Sequence, residues 1–207
     1  MARKIVAPQR REQIVEALFQ CLVDNGHEKI SVKDIARRAG LHYGVIHYYF
    51  KSKDEIISAL ADYIISRYDG MLQERTRGAH SAWERIHMVI AVLVDESIFN
   101  REMNRVFYNL VQMAFERKAV SASLRKLLRV YRDILAGVIK EGIESGEFIR
   151  QDAGESASLM VALIEGMALQ WVIEPKALDR KKVHKLAADT VRKHLMGNEA
   201  EIDCEGG

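Results

Sequence analysis

Apolar residues in this chain recur at helical spacing almost from end to end, and no stretch shows the sustained alternation of a half-buried strand. Ile14, Ala17, Leu18, Cys21 and Leu22 fall at i, i+3, i+4, i+7 and i+8. They predict a first helix from about Gln9 to Asn25, stopped by Asn25-Gly26. Ser31 then caps a short second helix, Asp34 completes an acidic capping box, and Val32, Ile35, Ala36 and Ala39 form the inner face. After Gly40 a third short helix carries Val45, Ile46, Tyr49 and Phe50. A fourth starts near Ser52, with Asp54 and Glu55 in the first turn where the helix dipole favours acids. Its stripe continues through Ile56, Ile57, Leu60, Ile64 and Tyr68 towards Arg77.

Longer helices follow. Ser81-x-x-Glu84 is a capping box ahead of Ile86, Val89, Ile90, Leu93 and Val94. Met103, Val106, Leu110 and Val111 mark a helix over about Arg101–Arg117. Leu124, Leu127, Leu128, Leu135 and Ile139 mark another that ends at Ser145-Gly146. Asp152-x-x-Glu155 opens the next, before Pro175, and Val183, Leu186, Ala187, Val191 and Leu195 stripe the last, closed by Gly197. Residues 198–207 read as a flexible acidic tail. The expected fold class is therefore all-α, and 2 Pro and 13 Gly in 207 residues leave too few turns for a many-stranded β protein.

Charge becomes informative only when divided. The net charge is +2. Residues 1–53 carry ten Lys/Arg and five Asp/Glu, a net +5, against −3 over residues 54–207. A basic amino-terminal segment suits a polyanion, and a basic solvated face is the other reading. Two short helices joined by a glycine turn inside this basic three-helix unit form a helix-turn-helix pattern. Counting Val32 as position one, Ala36 is fifth, Gly40 ninth and Ile46 fifteenth. The small residue permits a close helix crossing and the glycine a positive φ. That leaves His42, Tyr43, Gly44, His47 and Tyr48 on the outward face, a surface suited to a DNA major groove. The expected division is 1–53 for this unit, 54–197 for a helical effector-binding and dimerisation domain, and 198–207 for the tail.

Residues 26–56 resemble the DNA-binding signature of the tetracycline-repressor (TetR) family. Ile35-Ala36, Ala39-Gly40, Gly44, Tyr49-Phe50 and Lys51-x-Lys53 all stand at the family spacing. The remaining chain resembles the family in architecture, including the stretch Glu141-Gly142-x-x-x-Gly146-Glu147-Phe148. The resemblance implies a homodimeric repressor bound to double-stranded operator DNA with an inverted repeat and released by a small molecule. It assigns phosphate contacts to Ser31, Lys51 and Lys53, a close backbone approach to Gly44, and base contacts to His42, Tyr43, Val45 and Tyr48. Two positions depart from the family. Val45 replaces the common threonine and offers only apolar contact, as to a thymine methyl. His47 replaces a tyrosine that reaches phosphate, which would make that contact pH-sensitive. Arg3, Lys4, Arg10 and Arg11 form either a minor-groove or phosphate-tracking arm or a disordered tail.

The helix from about Glu155 to Glu174 is apolar nearly all round and needs cover on every side. A second subunit can supply it, giving a homodimer through the last two helices; a central core helix is the alternative. Trp83, Phe107, Tyr108, Met113, Tyr131, Met160, Met167 and Trp171 would line a cavity for a small apolar or aromatic effector, although such residues are more often plain core. Glu165 interrupts the apolar helix and serves either a cationic ligand or an interface hydrogen bond. No catalytic fingerprint, metal spacing or cofactor motif is present, so no enzyme and no cofactor are expected. The longest unbroken apolar run is Met88–Val94, which predicts no membrane span and a cytoplasmic protein. A DNA-organising or interaction protein of the same fold, with no effector, is the competing functional class.

Overall fold

Helices account for the regular structure of the computed structural model, which describes residues 2–25 and 30–197, and no strand occurs among them. In chain order they are α1 (Ala2–Asp24), α2 (Val32–Arg38), α3 (Tyr43–Tyr49), α4 (Lys53–Thr76), α5 (Ala82–Leu93), α6 (Arg101–Glu116), α7 (Lys118–Glu144), α8 (Ala153–Ile173) and α9 (Arg180–Met196). A single π-turn, Val94–Ile98, follows α5. Gly26 and the tail at 198–207 lie outside the described residues. α1 begins well before Gln9 and runs through Pro8. Its apolar stripe starts only at Ile14, so it marks where the helix packs rather than where it begins.

Two compact units emerge: Met1–Asp69 with Glu102–Leu128, and Gly70–Arg101 with Arg129–Gly207. In the first, α1 packs on α2 and α3. Ile14, Leu18, Leu22, Ile35, Ile46 and Phe50 are fully buried there. Cys21 lies on the same buried face as a small hydrophobe, and burial pushes its thiol up. The α2 capping box forms as the sequence implies: Asp34 N donates to Ser31 Oγ at 3.3 Å and Ser31 N to the Asp34 carboxylate at 2.9 Å. Gly40 turns the chain with φ +65°, a conformation that a Cβ would strain. Residues Glu102–Leu128, most of α6 and the start of α7, belong to this unit. Arg105 donates to the Val23 carbonyl at 2.8 Å and Asn109 to that of Leu22 at 3.2 Å, while Lys126 pairs with Asp62 at 2.6 Å.

In the second unit α8 packs against α9 and the π-turn, and α9 against α5. The stretch at residues 141–148 now has a physical reason. Gly146 takes φ +76°. The Glu147 carboxylate accepts from Ala82 N and Trp83 N at 2.8 and 2.9 Å, capping α5 from outside the helix. Phe148 is buried against Gly142, where an added Cβ would lie 2.2 Å from the ring. By length and composition α8 is apolar enough to cross a bilayer. Counting unbroken apolar runs missed it because Glu165 and Gly166 split the run while leaving the average high. In this fold Ala157, Met160, Val161, Ile164, Met167 and Ala168 are buried on one face of α8, and Leu159, Leu169, Val172 and Ile173 are exposed on the other.

Candidate functional site

α3 presents the face expected of it. Ile46 is buried, while His42, Tyr43, Gly44, His47 and Tyr48 are exposed, Tyr48 to 83%. Val45 is half-buried and Tyr49 lies beside the fully buried Phe50. His42 has a role that spacing could not reveal. It is the N-cap of α3, its Nδ1 accepting from Gly44 N at 3.2 Å. With Nδ1 as acceptor, the hydrogen-bearing ring nitrogen is Nε2. A Cβ on Gly44 would come within 3.4 Å of the same Nδ1. The Tyr43 and His47 rings meet edge-on at 4.6 Å, one turn apart, and Lys33 Nζ lies 5.9 Å from the Tyr43 ring.

The basic residues divide into two groups. Lys51 is exposed, and its backbone N–H donates to Glu55 at 2.7 Å. Lys53, the first residue of α4, is half-buried and donates from Nζ to the Ile30 carbonyl at 2.6 Å. It thereby ties the start of α4 to the residue before Ser31, with two ammonium hydrogens left over. Burial, reinforced by the nearby Arg117, holds the Lys53 ammonium below its ordinary range. Arg11 is not an arm residue. Its guanidinium lies 4.0 Å from the Phe50 ring centre, donates to the Tyr49 carbonyl and pairs with Glu55 at 3.4 Å. Arg10 bonds Gln13 at 2.7 Å, while the side chains of Arg3 and Lys4 lie outside what the structure describes.

The candidate effector residues fall in both units. Phe107, Tyr108 and Met113 belong to the first unit; Trp83, Tyr131, Met160, Glu165, Met167 and Trp171 belong to the second. Phe107 and Tyr108 contact each other at 5.6 Å, and Met113 is buried. Trp83 lies near His87 and under Arg192, whereas Trp171 meets Phe99 edge-on at 5.6 Å, with Arg180 over Phe99. Arg180 and Arg192 stand about 18 Å apart along α9, at 1.5 Å per residue, so the two tryptophans face opposite ends of that helix. Met160 and Met167 are core, and Tyr131 is half-buried. Glu165 is half-buried as well; desolvation raises its carboxyl, against the pull of Arg132.

Two features escaped sequence reasoning. Asp95, in the π-turn, accepts from Arg180 Nε at 2.9 Å and lies 2.8 Å from His184 Nε2, a junction that no periodic signal marks. An open groove of about 540 Å³ between α7 and the start of α8 is lined by Arg132, Asp133, Asp152 and Glu155 among others, and by none of the predicted effector residues.

Comparison with known proteins agrees with this geometry. Residues 14–60 match the model for bacterial regulatory proteins of the tetR family, and residues 82–196 match that for the C-terminal domain of BetI-type transcriptional repressors. The chain belongs to the TetR family of DNA-binding transcriptional regulators, with a BetI-type C-terminal domain. The HTH-type transcriptional regulator BetI 1 of Chromohalobacter salexigens is 26% identical over 189 residues, covering 91% of each chain. Among solved structures, FadR from Bacillus subtilis in complex with stearoyl-CoA superposes with a TM-score of 0.76 at 22% identity, covering 87% of this chain and 96% of that one. A regulator from Saccharomonospora viridis in complex with choline gives 0.77 at 19% identity, covering 92% and 100%.

Proposed function

We propose that the protein is a cytoplasmic, homodimeric repressor that reads an inverted repeat with α3 and leaves it when a small molecule binds the second unit. The observation that carries the DNA reading is the exposed face His42, Tyr43, Gly44, His47 and Tyr48, held above a fully buried Ile46 and flanked by Ser31, Lys51 and Lys53. Tyr43, Val45 and Tyr48 read bases; Ser31, His47, Lys51 and Lys53 hold phosphates; His42 caps α3 and turns its free N–H to the groove. Two such helices reach half-sites about 34–36 Å apart. The exposed apolar side of α8, with the exposed Leu186 of α9, supports dimerisation through the last two helices.

For the effector, Glu165 is the informative residue. A half-buried carboxylate held partly against its own ionisation favours a ligand that supplies positive charge. The apolar residues one turn away on α8, Val161, Ala162, Ala168 and Leu169, suit a small cation with an apolar body. Operator binding is tested by titrating duplexes selected from random-sequence DNA. Lys53→Ala should weaken binding to every sequence and reduce the salt slope by about one per subunit. Tyr43→Ala should instead change base preference. Uniform loss for Tyr43→Ala, or loss at one base pair for Lys53→Ala, would reverse the two assignments.

A further inference from the structure

The first turn of α4 holds two acids, Asp54 and Glu55, directly after Lys53. Acids suit a helix start, but here they sit at the end that is proposed to face DNA phosphates, where free carboxylates would repel the ligand. Each is occupied by an arginine from another element. Arg11 of α1 pairs with Glu55 at 3.4 Å. Arg117, the residue joining α6 to α7, pairs with Asp54 at 2.6 Å. Both members of the second pair are 41% exposed, and such a pair adds little to stability. Arg117 also lies close enough to Lys53 to disfavour a second positive charge there.

We infer that Arg117 is a positioning residue for operator binding: it masks the Asp54 carboxylate beside the phosphate held by Lys53, so that the α6–α7 corner sets the charge of the DNA face without touching DNA. The inference rests on the phosphate role of Lys53. It also gives regulation a route. α7 runs unbroken from Lys118 to Glu144, and its residues from Arg129 onward belong to the second unit. A displacement of α7 that withdraws Arg117 uncovers one negative charge per subunit at the phosphate.

The test compares wild type, Arg117→Ala, Asp54→Asn and the double variant on one selected operator duplex at fixed salt. Thermal melts of each confirm that the chain remains folded. Arg117→Ala should weaken binding roughly 5–30-fold over two half-sites, the Coulomb effect of one uncovered charge beside each phosphate in a mostly aqueous medium. Asp54→Asn should bind at least as tightly as wild type, and the double variant should return to within about threefold of it, since removing the acid removes the need for a mask. A double variant as weak as Arg117→Ala would overturn the inference and make Arg117 a phosphate ligand. Equal weakening by Asp54→Asn alone would overturn it in favour of a merely structural pair. If Lys53→Ala binds normally, the phosphate role of Lys53 falls and the inference with it; if Lys53→Ala weakens every sequence but the double variant fails to recover, the inference falls alone; if wild type selects no duplex, both fall.

Discussion

At Glu165 the proposed effector role coincides with a cost in stability. Desolvation raises its carboxyl above the unfolded value despite the nearby Arg132, so the folded state holds that proton more tightly than the unfolded chain does. Stability therefore falls as pH rises from the ordinary carboxylate range through the raised value, and stays lower above it. Glu165→Gln removes the ionisable group while keeping its shape. The variant should melt higher than wild type at neutral pH, and the difference should vanish in acid, where both side chains are uncharged. Melting curves across pH check this, and a variant that melts lower at neutral pH would mean that the carboxylate makes a stabilising contact. A ligand cation would reverse the sign for wild type alone, because it stabilises the folded state in proportion to its binding.

At the scale of elements, two glycines of α7 provide a controlled comparison. Gly142 faces the buried Phe148 ring, and a Cβ there would overlap it. Gly142→Ala should destabilise by about 1–3 kcal/mol, since a buried ring has nowhere to move. Gly137 is exposed with nothing within 4 Å, so Gly137→Ala should stabilise by about 0.5–1 kcal/mol through helix propensity alone. Chemical denaturation of both variants checks the pair. The same helices show what a sequence can and cannot disclose. Every α-helix was legible, because each buries one periodic stripe, and Ser31, Asp152 and Gly40 sit where caps and turns demand them. Ends that do not pack were not legible: α1 starts before its stripe does, and α7 starts at Lys118, ahead of Leu124. The Ser81 box shows a finer slip. Ser81 does cap Glu84 N, but the Glu84 carboxylate takes His80 N, and Glu147, 65 residues from Ala82, does the rest. The outward face of α3 followed from local spacing. Effector residues carry no such signal, because aromatic and methionine side chains at core spacing bear no mark of which cavity they share. Asp95 meets Arg180 and His184 through tertiary folding alone, and Arg11 looks like an arm until Phe50 and Glu55 are placed beside it.

For the whole molecule, the proposed dimer joins two chains through α8 and α9. Leu159, Ala162, Gly166, Leu169 and Ile173 lie along one exposed side of α8, and Gly166 has nothing within 4 Å in the single chain. Arginine at this position therefore meets no obstacle within its own subunit, yet would bury an unpaired charge in the proposed interface, a cost of several kcal/mol. Gly166→Arg should keep its helical spectrum, sediment as a monomer and lose high-affinity operator binding. A variant that still sediments as a dimer would place the interface elsewhere. In the proposed dimer, effector and DNA would be linked ligands. An effector favouring a spacing of the two α3 helices unlike that of the operator complex weakens DNA binding only by its differential affinity for the two states, typically about 1–3 kcal/mol or roughly 5–150-fold. Reciprocity then requires that operator DNA weaken the effector by the same factor. Calorimetry with choline and with a long-chain acyl-CoA, each titrated into free protein and into the operator complex, measures that factor directly. A cation held by Glu165 should bind free protein more tightly than the complex, and Glu165→Gln should abolish its binding while leaving operator affinity intact. Equal affinity in both titrations would show that the compound binds without inducing, and the sensor role of the second unit would then need a different ligand.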